Sequence, residues 1–124
     1  MDVTPLVQEG AQIVQSYAGG RFRVSGVVYE SAVIVSEGAT VVWDVSGFDG
    51  LCLEDFQPVI DRGDAMDVVL LGCGARMRFL PPDLKKALRA AGLHVETMDT
   101  GAACRTYNML MAEGRRVVCA LLAV

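Results

Sequence analysis

Two segments of the sequence hold residue types that could bind a small anion. One runs from Gly72 through Gly74 to Arg76, where the glycines would let the backbone approach a ligand and the arginine could neutralise its charge. The other runs from Asp99 to Asn108 and opens a predicted helix. The start of a helix offers unpaired N–H groups and the positive end of the helix dipole, and both favour an anion.

The polar side chains of the second segment also have a structural interpretation. Arg105 and Asn108 lie three positions apart and share one side of the predicted helix, so they could hold a carboxylate or phosphate. Alternatively, Arg105 pairs with Asp99 or Glu113 and fastens two layers together. Asp99 or Thr100 would then cap the helix through a side-chain oxygen. Both interpretations stay open, and the candidate anion site comprises Gly72, Gly74, Arg76, Asp99, Thr100, Arg105 and Asn108.

Neither segment indicates a catalytic site. The Gly-x-Gly pattern that begins at Gly72 lacks the third glycine of the dinucleotide-binding fingerprint. Cys104 falls in the first turn of its helix, where a thiol pKa can be lowered, and Cys73 lies in the other segment. The only histidine, His94, is predicted at the beginning of a strand and away from both, so no general base accompanies them. We therefore expect no catalytic residues and no cofactor, and keep thiol redox chemistry as a further hypothesis.

Charge and cysteine content exclude several classes of ligand and partner. The net charge of −4 argues against nucleic acid, because phosphate backbones are bound by clustered Lys and Arg. The four cysteines stand far apart and have no pair of histidines beside them, so we expect no metal site. Dispersed thiols, an N-terminus without a signal pattern and the lack of about 18 consecutive apolar residues predict a cytoplasmic protein without a membrane span.

The size and apolar content of the chain bear on its organisation. A chain of 124 residues normally builds one core, so we predict a single domain over residues 1–124. The apolar fraction of 52% indicates either a generous core or apolar surface that awaits a protein partner. Arginine far outnumbers lysine among the 11 basic residues, which suggests a bacterial source with a genome rich in G and C.

The first half of the chain has a β pattern, with apolar alternation and frequent turns over residues 11–47. Residues 22–24 and 27–29 flank Ser25 and Gly26, which predicts a tight hairpin in which glycine supplies a positive φ. Strands over 32–35 and 40–43 follow around a second turn, giving three or four short antiparallel strands. A helix is predicted over 54–61, ending at Gly63.

The second half alternates strands with helices. Strands are predicted over 68–71, 93–98 and 117–122, and helices from Pro82 to Gly92 and over 101–113. The apolar stripe of the first helix comprises Leu84, Ala87, Leu88 and Ala91. Two successive crossovers should make the three strands parallel. The predicted fold class is α/β, with a mixed sheet that is parallel in the C-terminal half and a β-hairpin front half.

Four motifs give the chain a family resemblance. They are residues 22–29 (FRVSGVVY), 70–74 (LLGCG), 98–108 (MDTGAACRTYN) and 113–117 (EGRRV). Through them, nearly the whole chain resembles the MTH-like, or Xcc-like, family of domains of unknown function. That family includes the mitochondrial complex I assembly factor 3 and an adipogenesis-associated protein of animals. The resemblance implies a compact three-layer α/β fold without an assigned reaction.

The resemblance also implies a role. By similarity to the mitochondrial member, we expect a noncatalytic binding or assembly module with a protein partner, one that could assist assembly of a respiratory complex of the complex I type. The alternative is a small-anion-binding protein or enzyme that uses the candidate site described above. Edge strands in the front half could in addition pair two copies of the chain into a homo-oligomer.

Overall fold

The computed structural model describes residues 11–62 and 66–124. Its strands are β1 (Val14–Ala18), β2 (Arg21–Val24), β3 (Val27–Tyr29), β4 (Val33–Ser36), β5 (Thr40–Val42), β6 (Val68–Gly72), β7 (Val95–Met98) and β8 (Val117–Leu121). Its helices are α1 (Gln57–Ile60), which follows a 3-10 turn (Leu53–Phe56), α2 (Pro82–Ala90) and α3 (Thr100–Ala112). Within the described ranges no helix combines the length and apolar character needed to cross a membrane.

The front half contains a small antiparallel sheet in the order β1-β2-β3. The predicted hairpin is confirmed, because Val24 pairs with Val27 across a two-residue turn. Both turn residues have positive φ, 44° at Ser25 and 86° at Gly26, as a type I′ turn requires. From residue 11 onward the front half has five strands rather than the three or four predicted, since β1 was not identified as a separate strand.

The larger sheet is mixed and has the order β5-β4-β8-β6-β7. Strand β6 pairs in parallel with both β7 and β8, which confirms the prediction from the two crossovers. Strand β4 runs antiparallel to β8 and joins the front half to this sheet. The C-terminal ends of β6, β7 and β8 consequently lie at one edge, where α3 begins.

The central strands of the large sheet, β4, β8 and β6, are buried on both faces, which gives the molecule three layers. On one face, Leu70 packs in a cluster with residues of α3 and the small sheet. On the other face, Val69 and Leu71 pack with the α1 and α2 side of the molecule. The continuous apolar run of β6 is explained by this double burial.

Two helices differ in detail from the sequence prediction. The helix predicted over 54–61 is split, because Pro58 has no N–H to continue an α-helical bond to Glu54, and the chain forms a 3-10 turn before α1. Its predicted end at Gly63 lies outside the described residues. Helix α2 starts at Pro82 as predicted and the chain turns at Gly92 with φ of 89°, but Ala91 of the predicted stripe is exposed.

Candidate functional site

Thr100 joins the strand ends at the candidate site. Its hydroxyl donates a hydrogen bond to the Leu122 carbonyl oxygen at 2.8 Å and accepts one from the Gly74 N–H at 2.9 Å. Its own N–H donates to the Gly74 carbonyl oxygen at 2.9 Å. Thr100 is fully buried, so these bonds satisfy polar groups that water cannot reach.

Gly72 is required by packing at the same place. A Cβ at this position would lie 3.0 Å from the Thr100 Cα, from the Thr100 Oγ1 and from a methyl carbon of Leu121. The Gly72 carbonyl oxygen accepts a hydrogen bond from the Leu122 N–H at 3.0 Å. The close approach predicted for this glycine is therefore to the chain's own α3 and β8.

Asp99 caps α3. Its backbone is extended, and its side chain accepts a hydrogen bond from the Ala102 N–H at 2.8 Å. Of the two residues predicted as alternative caps, Asp99 is the one that fills the role, while Thr100 is the first residue of the helix. The carboxylate thus occupies part of the positive end of α3 that an external anion would use.

Asn108 is buried and points toward β1. Its Oδ1 accepts a hydrogen bond from the Val14 N–H at 3.0 Å, and its Nδ2 donates one to the Val14 carbonyl oxygen at 2.8 Å. Val14 is itself fully buried. The Asn108 amide therefore bonds to β1 as a neighbouring strand would, and it holds the small sheet against α3.

Arg105 also contacts β1. Its Nη1 donates a hydrogen bond to the Tyr17 hydroxyl at 3.0 Å, so the predicted pairing with Asp99 or Glu113 is wrong although the layers are joined. The Tyr17 ring lies over Gly101, where an added Cβ would be 2.9 Å from the ring carbon Cζ. The remainder of the Arg105 side chain is exposed at the surface.

The loop over residues 75–79, here called the Phe79 loop, leaves the sheet edge beside Gly74. Arg76 is exposed on it, and Phe79 is 83% exposed, the largest value among the exposed large apolar residues. Met77 is also exposed. Arg78 is held in place by an ion pair with Asp49 at 2.7 Å. Sequence reasoning passed over Met77 and Phe79, although two large apolar residues between a strand and a helix-opening proline were a usable signal.

The seven residues predicted from sequence therefore fall into separate groups. Gly72, Gly74, Asp99 and Thr100 meet at the sheet edge, and Arg76 lies next to them on the Phe79 loop. Arg105 and Asn108 are engaged with β1 on another side of α3. The predicted anion site remains a prediction, and six of its seven residues form hydrogen bonds within the chain. Those six are Gly72, Gly74, Asp99, Thr100, Arg105 and Asn108.

Three of the cysteines are buried, and burial governs their chemistry. Desolvation raises the pKa of the Cys104 thiol to about 12, despite its place in the first turns of α3. Burial likewise raises the pKa of Cys73 and, in the core, that of Cys119. The lowered thiol pKa considered for Cys104 is thus wrong, because desolvation outweighs the helix dipole. Cys52 differs from the others in being exposed.

We expect one rapidly reacting thiol in the native protein. With a disulfide reagent at pH 7, Cys52 should react first, and the buried thiols should react only as fast as the fold opens. Stopped-flow absorbance measurements on the wild type and on Cys52→Ser test this, since the substitution should remove the rapid phase. A rapid phase that survives in Cys52→Ser would restore the thiol hypothesis.

A family model described as "Protein of unknown function (DUF498/DUF598)" matches residues 14–122. An uncharacterised protein of Rhodobacter capsulatus is 36% identical over 113 residues, which cover 91% of this chain and 86% of that protein. A solution structure of a Bordetella pertussis protein, described as a Mth938-like domain, superposes with a TM-score of 0.77 at 32% identity. The superposition covers 98% of this chain and 92% of the Bordetella pertussis chain, so the fold expected from the motifs is confirmed.

A more distant relative carries a functional name. The NADH dehydrogenase [ubiquinone] 1 alpha subcomplex assembly factor 3 of Xenopus tropicalis is 28% identical over 122 residues. The match covers 97% of this chain and 67% of that protein. The assembly factor therefore has a substantial part with no counterpart in the matched region.

Proposed function

Because the chain belongs to the family of unknown function DUF498/DUF598, with complex I assembly factors among its distant relatives, we propose that it is a noncatalytic module that docks a protein partner. The docking assists assembly of a respiratory complex of the complex I type. We also propose that the protein is bacterial and acts in the cytoplasm, as expected from the sequence.

One observation carries the proposal, namely the exposure of Phe79. Aromatic and methionine side chains are enriched in the buried centres of protein interfaces, where a few of them supply most of the binding energy. Phe79 and Met77 stand exposed on one loop, beside exposed Arg76. Arg78 of the same loop forms an ion pair with Asp49, and because both side chains are exposed this pair adds little to the stability of the loop.

The noncatalytic part of the proposal rests on how the polar groups are used. The Thr100 hydroxyl, the Asp99 carboxylate and the Asn108 amide bond to backbone groups of the chain. The raised pKa of the Cys104 thiol keeps it protonated at neutral pH. Groups with these partners stabilise the fold and have little freedom to act on a substrate.

A deletion strain tests the proposal. The gene is removed from the organism that encodes the chain, and the membranes are assayed for NADH:quinone oxidoreductase activity and for the assembled complex on native gels. We expect both to fall and to return when the wild-type gene is restored, while succinate:quinone oxidoreductase stays constant as the matched control. Unchanged levels of the assembled complex would refute the assembly role.

The alternative function is binding of a small anion at the C-terminal ends of β6, β7 and β8. It is favoured by the contact between Gly74 and Thr100 and by the exposed Arg76 beside them. Phosphate at a hundredfold excess over its Kd would stabilise the fold by about 2.7 kcal/mol. Under the docking proposal we expect no change of Tm with phosphate in a thermal-shift assay. A rise of Tm that disappears in Arg76→Ala would instead establish the anion site.

A further inference from the structure

Strand β7 ends the large sheet and directs backbone groups outward. The Val69 N–H donates to the His94 carbonyl oxygen at 3.2 Å, and the Cys73 N–H donates to the Met98 carbonyl oxygen at 2.8 Å. Residues that alternate with these along the strand, Val95 and Thr97, therefore direct their N–H and C=O groups away from β6. Since β7 is the last strand in the sheet order, these groups form an edge to which another strand can bond.

A groove runs beside this edge. It lies between β7 and α2, has a volume of about 250 Å³, and has Leu80, Leu88 and Leu93 among its lining residues. Leu80 directly follows Phe79, so the groove continues from the Phe79 loop. The three leucines are buried and form its floor, while charged side chains make up much of its exposed lining. Among the described residues no strand pairs with the outer side of β7, and a groove alongside an unpaired sheet edge is the arrangement that domains use to bind an extended peptide as an added strand.

The charge of the groove selects the occupant. Lys85 and Arg89 line it and are exposed, whereas Glu96 is the carboxylate in the lining. Two basic side chains against one carboxylate make the groove locally positive, although the chain as a whole carries −4. A segment with carboxylates would be attracted to this region, and a basic segment would gain nothing there.

We propose that β7 and this groove bind an extended, acidic segment of the partner protein as an additional strand of the large sheet. The inference rests on the proposed docking function and specifies its partner. Backbone hydrogen bonds to Val95 and Thr97 supply affinity, and carboxylates of the segment pair with Lys85 and Arg89.

Two proline substitutions make a matched pair for the test. Thr97→Pro removes an outward N–H of β7, a position at which an edge strand tolerates proline. Val42→Pro is the control on β5, the opposite edge of the same sheet. The Trp43 N–H donates to the Ala32 carbonyl oxygen at 2.9 Å, so the neighbouring Val42 also directs its N–H outward. The double charge reversal Lys85→Glu with Arg89→Glu leaves the strand untouched and supplies a second variant should Thr97→Pro unfold the protein.

The probe is a library of random dodecapeptides displayed on phage and selected on the wild-type chain. We expect enriched peptides in which Asp or Glu alternate with β-branched or aromatic residues. Binding of their synthetic versions, measured by fluorescence anisotropy, should weaken at least about tenfold in Thr97→Pro and in the charge reversal. In Val42→Pro the affinity should stay within about twofold of wild type.

Three results would overturn the inference. They are the absence of acidic sequences among the enriched peptides, undiminished binding in both β7-side variants, and a dimer in sedimentation that Thr97→Pro converts to monomer, which would make a second copy the occupant.

Complementation separates this inference from the proposed function. If the deletion lowers the assembled complex and both β7-side variants restore it fully, the docking function stands and the β7 site is wrong. If the deletion has no effect, the assembly role itself fails.

Discussion

Replacement of Asn108 by alanine should lower the free energy of unfolding by about 3 to 5 kcal/mol, since it leaves two buried backbone groups unpaired and opens a small cavity. The two groups are the N–H and the carbonyl of Val14, which bond to the Oδ1 and the Nδ2 of Asn108. Both residues are buried, so water cannot replace the lost partner. Urea unfolding followed by circular dichroism measures the change.

Two further variants separate hydrogen bonding from packing at this site. Asn108→Asp has nearly the same shape but sets an acceptor against the Val14 carbonyl oxygen, so it should destabilise the protein to a similar extent near pH 7. Met109→Ala, on the exposed side of the same helix, should change stability by less than about 0.5 kcal/mol. A loss below about 1 kcal/mol in Asn108→Ala would show that the amide is not needed for the fold and would reopen its role as a ligand group.

The second large effect is expected at Gly101, where helix propensity and packing make opposite predictions. Alanine in place of a helical glycine stabilises by about 1 kcal/mol when nothing obstructs it. Here the new Cβ would meet the Tyr17 hydroxyl and would lie 2.9 Å from its Cζ. The ring would have to move and would lose its bond with Arg105, so we expect a net destabilisation of about 1 to 3 kcal/mol.

A double-mutant cycle tests this explanation. In a Tyr17→Ala background the obstruction is gone, so Gly101→Ala should there be neutral or stabilising. Thermal unfolding of the four proteins gives the coupling energy. If Gly101→Ala stabilises the wild type as much as it stabilises Tyr17→Ala, the Tyr17 ring does not constrain this position.

Local features of the fold were predictable because their causes are local. Ser25 and Gly26 form the hairpin turn, Pro82 opens α2, and Asp99 caps α3. Each of these depends on backbone geometry or on hydrogen bonds within a few residues. The parallel pairing of β6 with its neighbours followed from the alternation of strand and helix. The three-layer arrangement, by contrast, came from the family resemblance.

The role of the α3 polar residues could not be predicted because their partners are distant in sequence. Asn108 bonds to a residue 94 positions away, and Arg105 bonds to one 88 positions away. Strand β1 went unidentified because its sequence mixes polar and apolar residues, although its partner β2 follows it directly in the chain. An arginine and an amide on one side of a helix suggest ligand binding when no long-range partner is visible. The exposure of Phe79 is likewise a property of the folded loop.

The central claim is that the Phe79 loop docks a partner while the polar residues of α3 build the fold. Complementation of the deletion strain with Phe79→Ser and Arg105→Ala, at equal expression and with both proteins folded, tests it most directly. We expect Phe79→Ser to leave the assembled NADH:quinone oxidoreductase at the level of the deletion strain and Arg105→Ala to restore it. Full restoration by Phe79→Ser together with failure of Arg105→Ala would contradict the claim and would place the functional surface at α3.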